Sequence, residues 1–205
     1  MFITIEGIEG VGKTTLIQGL QKYFAREKLD VLITREPGGT VVSEKIRNII
    51  LDSNVILNDK TECLLFFAAR LDHIEKKIKP AIKQGKIVIC DRYIEATYAY
   101  QGGGRGLSID YIDNLVSMNE ILLPDLTLLL NANIKTSHIR LAKRNTPKDR
   151  IELLNDDFFN KVQEMYLKRA SNNSKISIVD ATCDKDIVLN NSIELIKNVF
   201  NNKKN

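Results

Sequence analysis

Residues near the amino terminus have the types and spacing needed to hold a chain of phosphates. Gly7 is followed by four residues and then by Gly12, Lys13 and Thr14, which fits the pattern G-x-x-x-x-G-K-[ST]. Glycines let the backbone turn tightly, so that successive N–H groups converge on phosphate oxygens. The lysine of such a loop reaches the β- and γ-phosphates, and the threonine hydroxyl binds Mg²⁺. The pattern predicts an ATP-type site formed by Gly7, Ile8, Glu9, Gly10, Val11, Gly12, Lys13, Thr14 and Thr15.

The residues on either side of this loop have the periodicity that a phosphate loop requires. An apolar run at 2–5 predicts a strand, and a helix that begins near Lys13 would add the positive end of its dipole. A glycine-rich turn without a ligand is the alternative interpretation. The order strand, glycine loop and helix favours the phosphate site. The helical spacing is carried by Leu16, Ile17, Leu20, Tyr23 and Phe24.

A second pair of candidate residues follows the third apolar run. Asp91 comes directly after Ile87 to Cys90, where P-loop proteins place a carboxylate that helps to hold Mg²⁺. Arg92 is next in the chain, and its guanidinium could bind a phosphate through two parallel hydrogen bonds. The alternatives are a solvated or helix-capping aspartate and a surface ion pair of the arginine. The sequence therefore predicts a metal-binding and phosphate-binding pair at 91–92.

The elements that must position these residues alternate along the chain. Longer helix-like stretches separate the apolar runs, which predicts an α/β protein with a five-stranded parallel sheet flanked by helices. In such sheets ligands bind at the carboxyl ends of the strands, where the phosphate loop, "TREPGG" and "DRY" all fall. We expect one domain over 1–205, with a frayed tail at 201–205. The strand-like runs lie at 2–5, 30–34, 87–90, 125–130 and 176–179.

Composition limits the class of protein and its partners. A net charge of +4 over 205 residues is too weak to indicate nucleic-acid binding. No apolar run approaches a membrane span, and no basic segment precedes the first apolar residues, so we expect neither a membrane segment nor a secretion signal. Cys63, Cys90 and Cys183 are far apart, which favours buried free thiols over a disulfide framework or a zinc site. The expected location is the cytoplasm.

Two classes of function compete at this point, a nucleotide switch or motor and a kinase for a small acceptor. A GTPase would normally carry N-K-x-D and D-x-x-G, and neither occurs. A kinase needs a basic lid that closes and excludes water. Residues 139–152, "IRLAKRNTPKDRIE", are the lid candidate, with Asn145, Thr146 and Pro147 interrupting the helical pattern. The predicted lid cations are Arg140, which we assign to ATP binding, Arg144 and Arg150, while Lys143 and Lys148 are interpreted as solvated.

The longer motifs resemble one family. "TREPGGT", "FFAAR", "DRYIEATYAYQGGGRG" and "DRIE" follow "EGIEGVGKTT" in this order, and together they resemble thymidylate kinase. The resemblance extends over essentially the whole chain. It implies the P-loop kinase fold, transfer of the γ-phosphoryl of ATP·Mg²⁺ to dTMP, and a homodimer built through helix packing. The alternatives are another pyrimidine monophosphate kinase that uses dUMP or dCMP, and a P-loop regulator without activity.

The same resemblance implies roles for residues of an acceptor pocket. Phe66 would stack on thymine and Arg70 would donate to a thymine carbonyl, since residues four apart share a helix face. Core packing is the alternative for Phe66, and the one we assign to Phe67. The resemblance places Thr97 and Gln101 on the pyrimidine and Tyr100 against the sugar. It places Arg47 and Arg92 on the phosphate. The expected acceptor-site residues are Glu36, Pro37, Arg47, Phe66, Arg70, Arg92, Thr97, Tyr100 and Gln101.

The source of the transition-state cation is the point on which members of the family differ. The loop "GIEGVGKT" has no basic residue before Lys13, so the resemblance implies a lid arginine, Arg144 or Arg150. Glu9 matches an acidic position near the transferred phosphate, the sugar and Mg²⁺. A carboxylate beside a triphosphate is repelled unless a cation lies between them. Two departures are Ala96, where many relatives have serine, and Asn131, where several have aspartate.

Overall fold

The computed structural model of the protein, which describes residues 1–142 and 149–202, is built on a parallel sheet. The strands are β1 (Phe2–Glu6), β2 (Val31–Arg35), β3 (Ile87–Asp91), β4 (Leu126–Asn131) and β5 (Ile176–Asp180). Their order in the sheet is β2-β3-β1-β4-β5, and every neighbouring pair is parallel. Each strand lies within one residue of its predicted run, so the prediction of a five-stranded parallel sheet is confirmed.

Helices connect the strands and pack on the sheet. The α-helices are α1 (Lys13–Arg26), α2 (Val41–Leu51), α3 (Asp59–His73), α4 (Lys79–Lys83), α5 (Ile94–Thr97), α6 (Ile109–Met118), α7 (Ile134–Ala142), α8 (Asp156–Asn172) and α9 (Lys185–Asn202). Two π-helical segments, Ile74–Ile78 and Tyr98–Gly104, continue α3 and α5. No helix within the described ranges is long and apolar enough to cross a membrane.

Local chemistry fixes where the helices next to the site begin. The spacing that predicted α1 is explained by its buried face, which includes Leu16, Leu20 and Phe24. Thr40 caps α2 by accepting a hydrogen bond from the Ser43 backbone N–H, and Asn58 caps α3 in the same manner. Strands β2, β3 and β1 are parallel neighbours, so the loops that follow their carboxyl ends meet at one edge of the sheet.

The glycine run lets the π-helical chain after β3 pack closely against α8. The sequence places Thr97 and Gln101 one α-helical turn apart, but the segment that contains Gln101 is π-helical. It packs closely against α8, because a Cβ at Gly103 would lie 2.8 Å from the Lys161 carbonyl oxygen. At Gly104 a Cβ would lie 2.4 Å from the ring of Phe158. π-Helical turns of this kind are frequent at functional sites.

The predicted lid and tail are only partly described. Helix α7 ends at Ala142, and the interrupting residues Asn145, Thr146 and Pro147 lie outside the described residues, as does Arg144. The chain resumes at Asp149, beside the carboxyl end of α2, where the Arg150 N–H lies 3.4 Å from the Leu51 carbonyl oxygen. Helix α9 extends to Asn202, so the first two residues of the predicted tail belong to the helix.

Candidate active site

The phosphate loop connects β1 to α1 and is held against the sheet and α7. Gly7 and Gly10 have φ values of 130° and 78°, which side chains other than glycine rarely adopt. Both also lie close to backbone, because a Cβ at Gly7 would be 2.4 Å from the Leu130 carbonyl oxygen and one at Gly10 2.4 Å from that of Ser137. The side chains of Ile8 and Val11 are buried in the core. Only the backbone of those two residues can therefore serve a ligand.

Lys13 lies across the loop that it is expected to serve. Its Nζ donates to the carbonyl oxygens of Gly7 and Ile8, each at 3.0 Å. Burial, followed by the nearby positive charge of Arg92, lowers the pKa of Lys13 to about 8. A triphosphate would supply negative charge to this ammonium group and favour its protonated form. The position of Lys13 agrees with its predicted role towards the phosphates.

Glu9, Arg92 and Tyr100 form one cluster above the loop. Arg92 Nη2 donates to Glu9 Oε1 at 2.7 Å, and the Tyr100 hydroxyl lies 2.9 Å from the same oxygen. The guanidinium carbon of Arg92 lies 4.9 Å from the centre of the Tyr100 ring, a cation–π arrangement. Arg92 is thus the cation that pairs with the Glu9 carboxylate in the part of the chain that the structure describes.

A buried carboxylate that the sequence analysis did not select supports this cluster. Glu6 Oε1 accepts the Tyr93 backbone N–H at 2.7 Å, and Glu6 Oε2 accepts the Tyr166 hydroxyl at 2.8 Å. Arg92 itself has a φ of 65°, which is uncommon outside glycine, and its N–H donates to the Ile5 carbonyl oxygen. Glu6 therefore fixes the turn that aims Arg92 into the site. Burial raises the pKa of Glu6 to about 7.

Asp91 ends β3 beside the phosphate loop, as predicted. Its Oδ1 atom is buried and has no hydrogen-bond partner among the described residues. Buried polar atoms without a protein partner are rare, and a bound ion or an ordered water can satisfy such an atom. Thr14, the other predicted metal ligand, is exposed and lines the same cleft. The part of the chain that the structure describes contains no cluster of three or more His, Cys, Asp or Glu side chains arranged for a metal ion.

The base-pocket residues meet around Arg70, which is 1 % exposed. Its Nε donates to Glu36 Oε2 at 2.7 Å, and Nη1 donates to the Thr97 hydroxyl at 3.0 Å. The other oxygen of Glu36 lies 3.0 Å from Nδ1 of His73, a buried histidine that the sequence analysis missed. Glu36 is thus placed to orient Arg70. Phe67 is buried in the core, whereas Phe66 is half-buried and lines the cleft, as expected.

The arginines expected at the phosphates are not all at the cleft. Arg47 Nη1 donates to the Pro37 carbonyl oxygen at 2.8 Å, at the mouth of the pocket. Arg140 lies beside the phosphate loop, with Nη1 2.9 Å from the Ala181 carbonyl oxygen.

Arg150 instead binds the Ile50 carbonyl oxygen at 2.8 Å and the carboxylate of Glu62. Arg35, after β2, pairs with Glu44 at 2.9 Å.

A single cleft of about 650 Å³ unites these groups. It extends from the phosphate loop past the end of β3 to the base pocket. Of the predicted site residues, Gly7, Ile8, Val11 and Arg150 do not line it. Those that do are Glu9, Gly10, Gly12, Lys13, Thr14, Thr15, Glu36, Pro37, Arg47, Phe66, Arg70, Asp91, Arg92, Thr97, Tyr100, Gln101 and Arg140.

Comparisons with known proteins identify the family. The family model described as thymidylate kinase matches residues 5–191. The thymidylate kinase of Vesicomyosocius okutanii is 47% identical over 185 residues, covering 88% of this chain and 89% of the relative. That of Mycoplasma capricolum is 42% identical over 200 residues, covering 96% and 94%.

A solved structure has the same fold. The crystal structure of thymidylate kinase from Ehrlichia chaffeensis is similar with a TM-score of 0.76 and 32% identity, covering 96% of this chain and 98% of that chain. The family model spans the phosphate loop, the cleft and the partly described lid. The chain belongs to the thymidylate kinase family.

Proposed function

We propose that the protein transfers the γ-phosphoryl group of ATP to dTMP and releases ADP and dTDP. The observation that carries the proposal is the cleft in which a phosphate loop and a pocket for a flat base open into one space. Membership of the thymidylate kinase family supports the same reaction. The resemblance seen in the sequence and the geometry of the site therefore lead to one function.

The base pocket has groups that complement thymine. Phe66 offers an aromatic face for stacking, and Arg70 offers guanidinium donors to a carbonyl oxygen. Gln101 and Thr97 line the same wall, where an amide oxygen can accept the N3–H of the pyrimidine. Tyr100 would lie against the sugar. These assignments are proposals that rest on the positions of the side chains around the cleft.

The acceptor phosphate would be bound by Arg92 and Arg47. Both line the cleft between the phosphate loop and the base pocket, so a monophosphate there would face the end of a bound triphosphate. Glu36 and Pro37 shape the wall behind it, since the Pro37 carbonyl oxygen holds Arg47. The ion pair between Arg92 and Glu9 leaves the arginine partly exposed to the cleft. This arrangement would bring the two anionic groups end to end.

Asp91 and Thr14 suit Mg²⁺. A buried carboxylate oxygen without a partner among the described residues and a nearby hydroxyl provide oxygen ligands, which Mg²⁺ prefers. When bound by Asp91 and Thr14, the ion would supply positive charge that neutralises the negative charge developing on the phosphates during transfer. Glu9 as a further ligand remains a prediction, and its carboxylate is shared between Arg92 and Tyr100. No covalent enzyme intermediate is required.

We infer that Arg144 supplies the transition-state cation. Arg150, the other candidate, is directed to Glu62 and does not line the cleft. A positioned arginine contributes about three to five powers of ten to the rate in other phosphoryl-transfer enzymes. Arg144→Ala should thus lower kcat by about a thousandfold with little change in dTMP affinity. Lys143→Ala removes the neighbouring cation and is the matched control, and equal effects of the two would contradict the assignment.

Association and location are further proposals. Three apolar side chains of α2, Val41, Val42 and Ile49, are 77%, 43% and 44% exposed. Such side chains on one helix favour the homodimer that the family resemblance implies. Light scattering after size-exclusion chromatography should give twice the mass of the chain. The absence of a nucleic-acid partner and the cytoplasmic location stay predictions.

A substrate panel tests the proposed function. ADP release would be followed by a coupled assay with dTMP, dUMP, dCMP and UMP as acceptors. We expect the highest kcat/KM with dTMP, and Lys13→Met should abolish turnover, which excludes a contaminating kinase. Preferred use of dCMP or dUMP would favour another pyrimidine kinase. No turnover with any acceptor would favour the inactive regulator.

A further inference from the structure

Glu62 is a buried carboxylate that the proposed reaction does not use. It lies in the first turn of α3, one turn before Phe66 and two turns before Arg70, and is 1 % exposed. Charged side chains are seldom buried unless they are paired. The described groups that pair with Glu62 come from two different parts of the site, the base pocket and the end of the lid.

On the pocket side, Glu62 binds Gln101 and Arg105. Gln101 Nε2 donates to Glu62 Oε1 at 2.9 Å. Arg105 donates through Nη2 to Glu62 Oε2 at 3.2 Å and also lies 3.6 Å from Asp59. Burial alone would raise the pKa of Glu62, but hydrogen bonds from Gln101, Arg150 and Arg105 lower that pKa below its ordinary value. Glu62 is therefore ionised in the folded protein at neutral pH.

An ionised carboxylate determines which end of the Gln101 amide faces it. A carboxylate only accepts hydrogen bonds, so the amide NH₂ must point to Glu62. The carbonyl oxygen is then the group that Gln101 can present to the cleft, which this residue lines. Thymine and uracil carry an N3–H donor, whereas N3 of cytosine is an acceptor. The orientation enforced by Glu62 thus matches thymine and opposes cytosine.

On the lid side, the same carboxylate binds Arg150. The guanidinium of Arg150 donates through Nη2 to Glu62 and through Nε to the Ile50 carbonyl oxygen at 2.8 Å. Arg150 lies just beyond the undescribed residues 143–148, so these bonds fix the carboxyl end of the lid to α2 and α3. Glu62 is 2% exposed in this ion pair and Arg150 is 16% exposed, which excludes most of the solvent screening.

We propose that Glu62 is a positioning and specificity-determining residue, which orients the Gln101 amide towards an N3–H donor and secures the end of the lid through Arg150. The inference rests on the proposed function, because it assigns Gln101 to the pyrimidine. Glu62 itself does not line the cleft and acts through its two partners. Replacing it with glutamine removes the charge that fixes the amide and allows Gln101 to rotate. The rotated amide would present its NH₂ group to N3 of cytosine.

The experiment compares Glu62→Gln with wild type on dTMP, dUMP and dCMP. Wild-type turnover of dTMP is measured first, so failure of the proposed function is recognised separately. In Glu62→Gln, kcat/KM for dCMP relative to dTMP should rise by about tenfold, the value of one mismatched hydrogen bond. The dUMP-to-dTMP ratio should change by less than about twofold, because both bases carry N3–H. Glu194→Gln, on the exposed face of α9, is the matched control for loss of one carboxylate.

If dCMP is not turned over, its inhibition of dTMP turnover gives the same comparison. A fall in the inhibition constant of dCMP relative to that of dUMP supports the proposal. Equal loss of activity towards all three substrates, or unchanged ratios, overturns it. A purely structural role for Glu62 would lower the activity towards all three substrates alike, and it would leave the ratio of their kcat/KM values unchanged.

Arg150→Gln separates the two partners of Glu62. This variant leaves the Glu62 carboxylate ionised, so the dCMP-to-dTMP ratio should be retained. It removes the ion pair that holds the end of the lid, so kcat should fall by about tenfold. The double variant Glu62→Gln with Arg150→Gln removes one charge of each sign and replaces the single variant if Glu62→Gln does not fold. Its kcat should match that of the more impaired single variant, since both remove the same contact. Fully additive losses would show that the two residues act independently.

Discussion

The hydroxyl of Tyr100 lies 2.8 Å from Oε2 and 2.9 Å from Oε1 of Glu9, although the two residues are 91 positions apart. Arg92 completes the arrangement with a 2.7 Å ion pair to the same carboxylate. A negative charge within a phosphate loop is thereby neutralised before a nucleotide arrives. Under the proposed function, Glu9 could then stay close to the phosphates without repelling them, and it holds Arg92 at the cleft where the acceptor phosphate is proposed to bind.

Tyr100→Phe tests this relationship by removing only the hydroxyl. The ring would keep its contacts with Phe158, Tyr166 and the Arg92 guanidinium. A hydrogen bond to a charged group contributes about 1.5–3 kcal/mol, so kcat/KM for dTMP should fall by at least about tenfold. Discrimination against UMP should be retained, because the variant keeps the ring that we propose to lie against the sugar. Steady-state kinetics with both acceptors measure this, with Tyr111→Phe on α6 as the control, and unchanged dTMP kinetics would contradict it.

Glu6→Gln tests the raised pKa of the buried carboxyl. Because the pKa of Glu6 is raised from 4.5 to about 7, the folded state retains a proton that the unfolded state loses. The stability linked to this group is complete below pH 4.5 and is lost as the pH rises through about 7. The size of the loss is about 3 kcal/mol. The glutamine oxygen can accept the Tyr93 N–H, and its NH₂ group can donate to the Tyr166 hydroxyl oxygen, both without a charge. This pH dependence should therefore disappear in the variant.

Urea denaturation of wild type and Glu6→Gln at intervals between pH 4.5 and 8 provides the measurement. The wild-type free energy of unfolding should decline relative to that of the variant over this range. Glu27→Gln, at an exposed position after α1, controls for the loss of one carboxyl group. Parallel stability curves for wild type and Glu6→Gln would show that the buried carboxyl does not titrate as stated.

The sheet could be predicted from the sequence because its signals are local. Runs of apolar residues at fixed intervals are sufficient to define buried parallel strands, and the rule for their carboxyl ends places the phosphate loop and Asp91 together. The positions of Phe66 and Arg70 follow from helical spacing. The roles of these residues towards a base or a phosphate followed from the resemblance to the family, because spacing alone does not determine them.

The supporting contacts could not be predicted, because they join residues far apart in the chain. Tyr166 reaches Glu6 from α8, and nothing in the local pattern of either residue indicates this contact. A charged residue at the end of the apolar run "FITIE" was the one available signal for Glu6. His73 lacked any signal, because its role depends on Thr34 and Glu36 in another segment. The ion pair of Arg150 with Glu62 likewise depends on how the lid packs.

Gly39→Ala tests the hydrogen-bonded chain behind the base pocket. Gly39 has a φ of 94°, and a Cβ there would lie 2.6 Å from His73 Nε2 and 2.8 Å from the Thr34 hydroxyl oxygen. The substitution must separate these two groups, which now lie 2.7 Å apart. Backbone strain of roughly 1–2 kcal/mol and overpacking of roughly 1–3 kcal/mol should add. KM for dTMP should rise as well, because His73 also holds Glu36.

Gly85→Ala is the matched control for this substitution. Gly85 also has a positive φ, 78°, but a Cβ there would meet nothing within 4 Å. It should therefore show the backbone strain alone, with unchanged kinetics. Urea denaturation of both variants gives the difference, which isolates the contact with His73. Equal losses of stability at the two glycines would be incompatible with the geometry described.

Arg70→Ala should impair folding as well as dTMP use, because Arg70 is the ion-pair partner of Glu36. Both side chains are almost fully buried and are joined at 2.7 Å. Removing one partner of such a pair costs about 3–5 kcal/mol, since the other charge is left buried and unpaired. The sequence assigned Arg70 to the thymine base and gave no sign of the pairing with Glu36, because that contact spans 34 positions.

The double variant Glu36→Gln with Arg70→Ala separates these two effects of Arg70. It removes the unpaired charge, so it should recover a large part of the lost free energy of unfolding. It should not recover kcat/KM for dTMP, because the guanidinium that faces the base is still absent. Arg35→Ala, which breaks an exposed pair with Glu44, is the control and should change stability by less than about 1 kcal/mol. If the double variant regained both stability and dTMP turnover, Arg70 would act only by neutralising Glu36 and not by binding thymine.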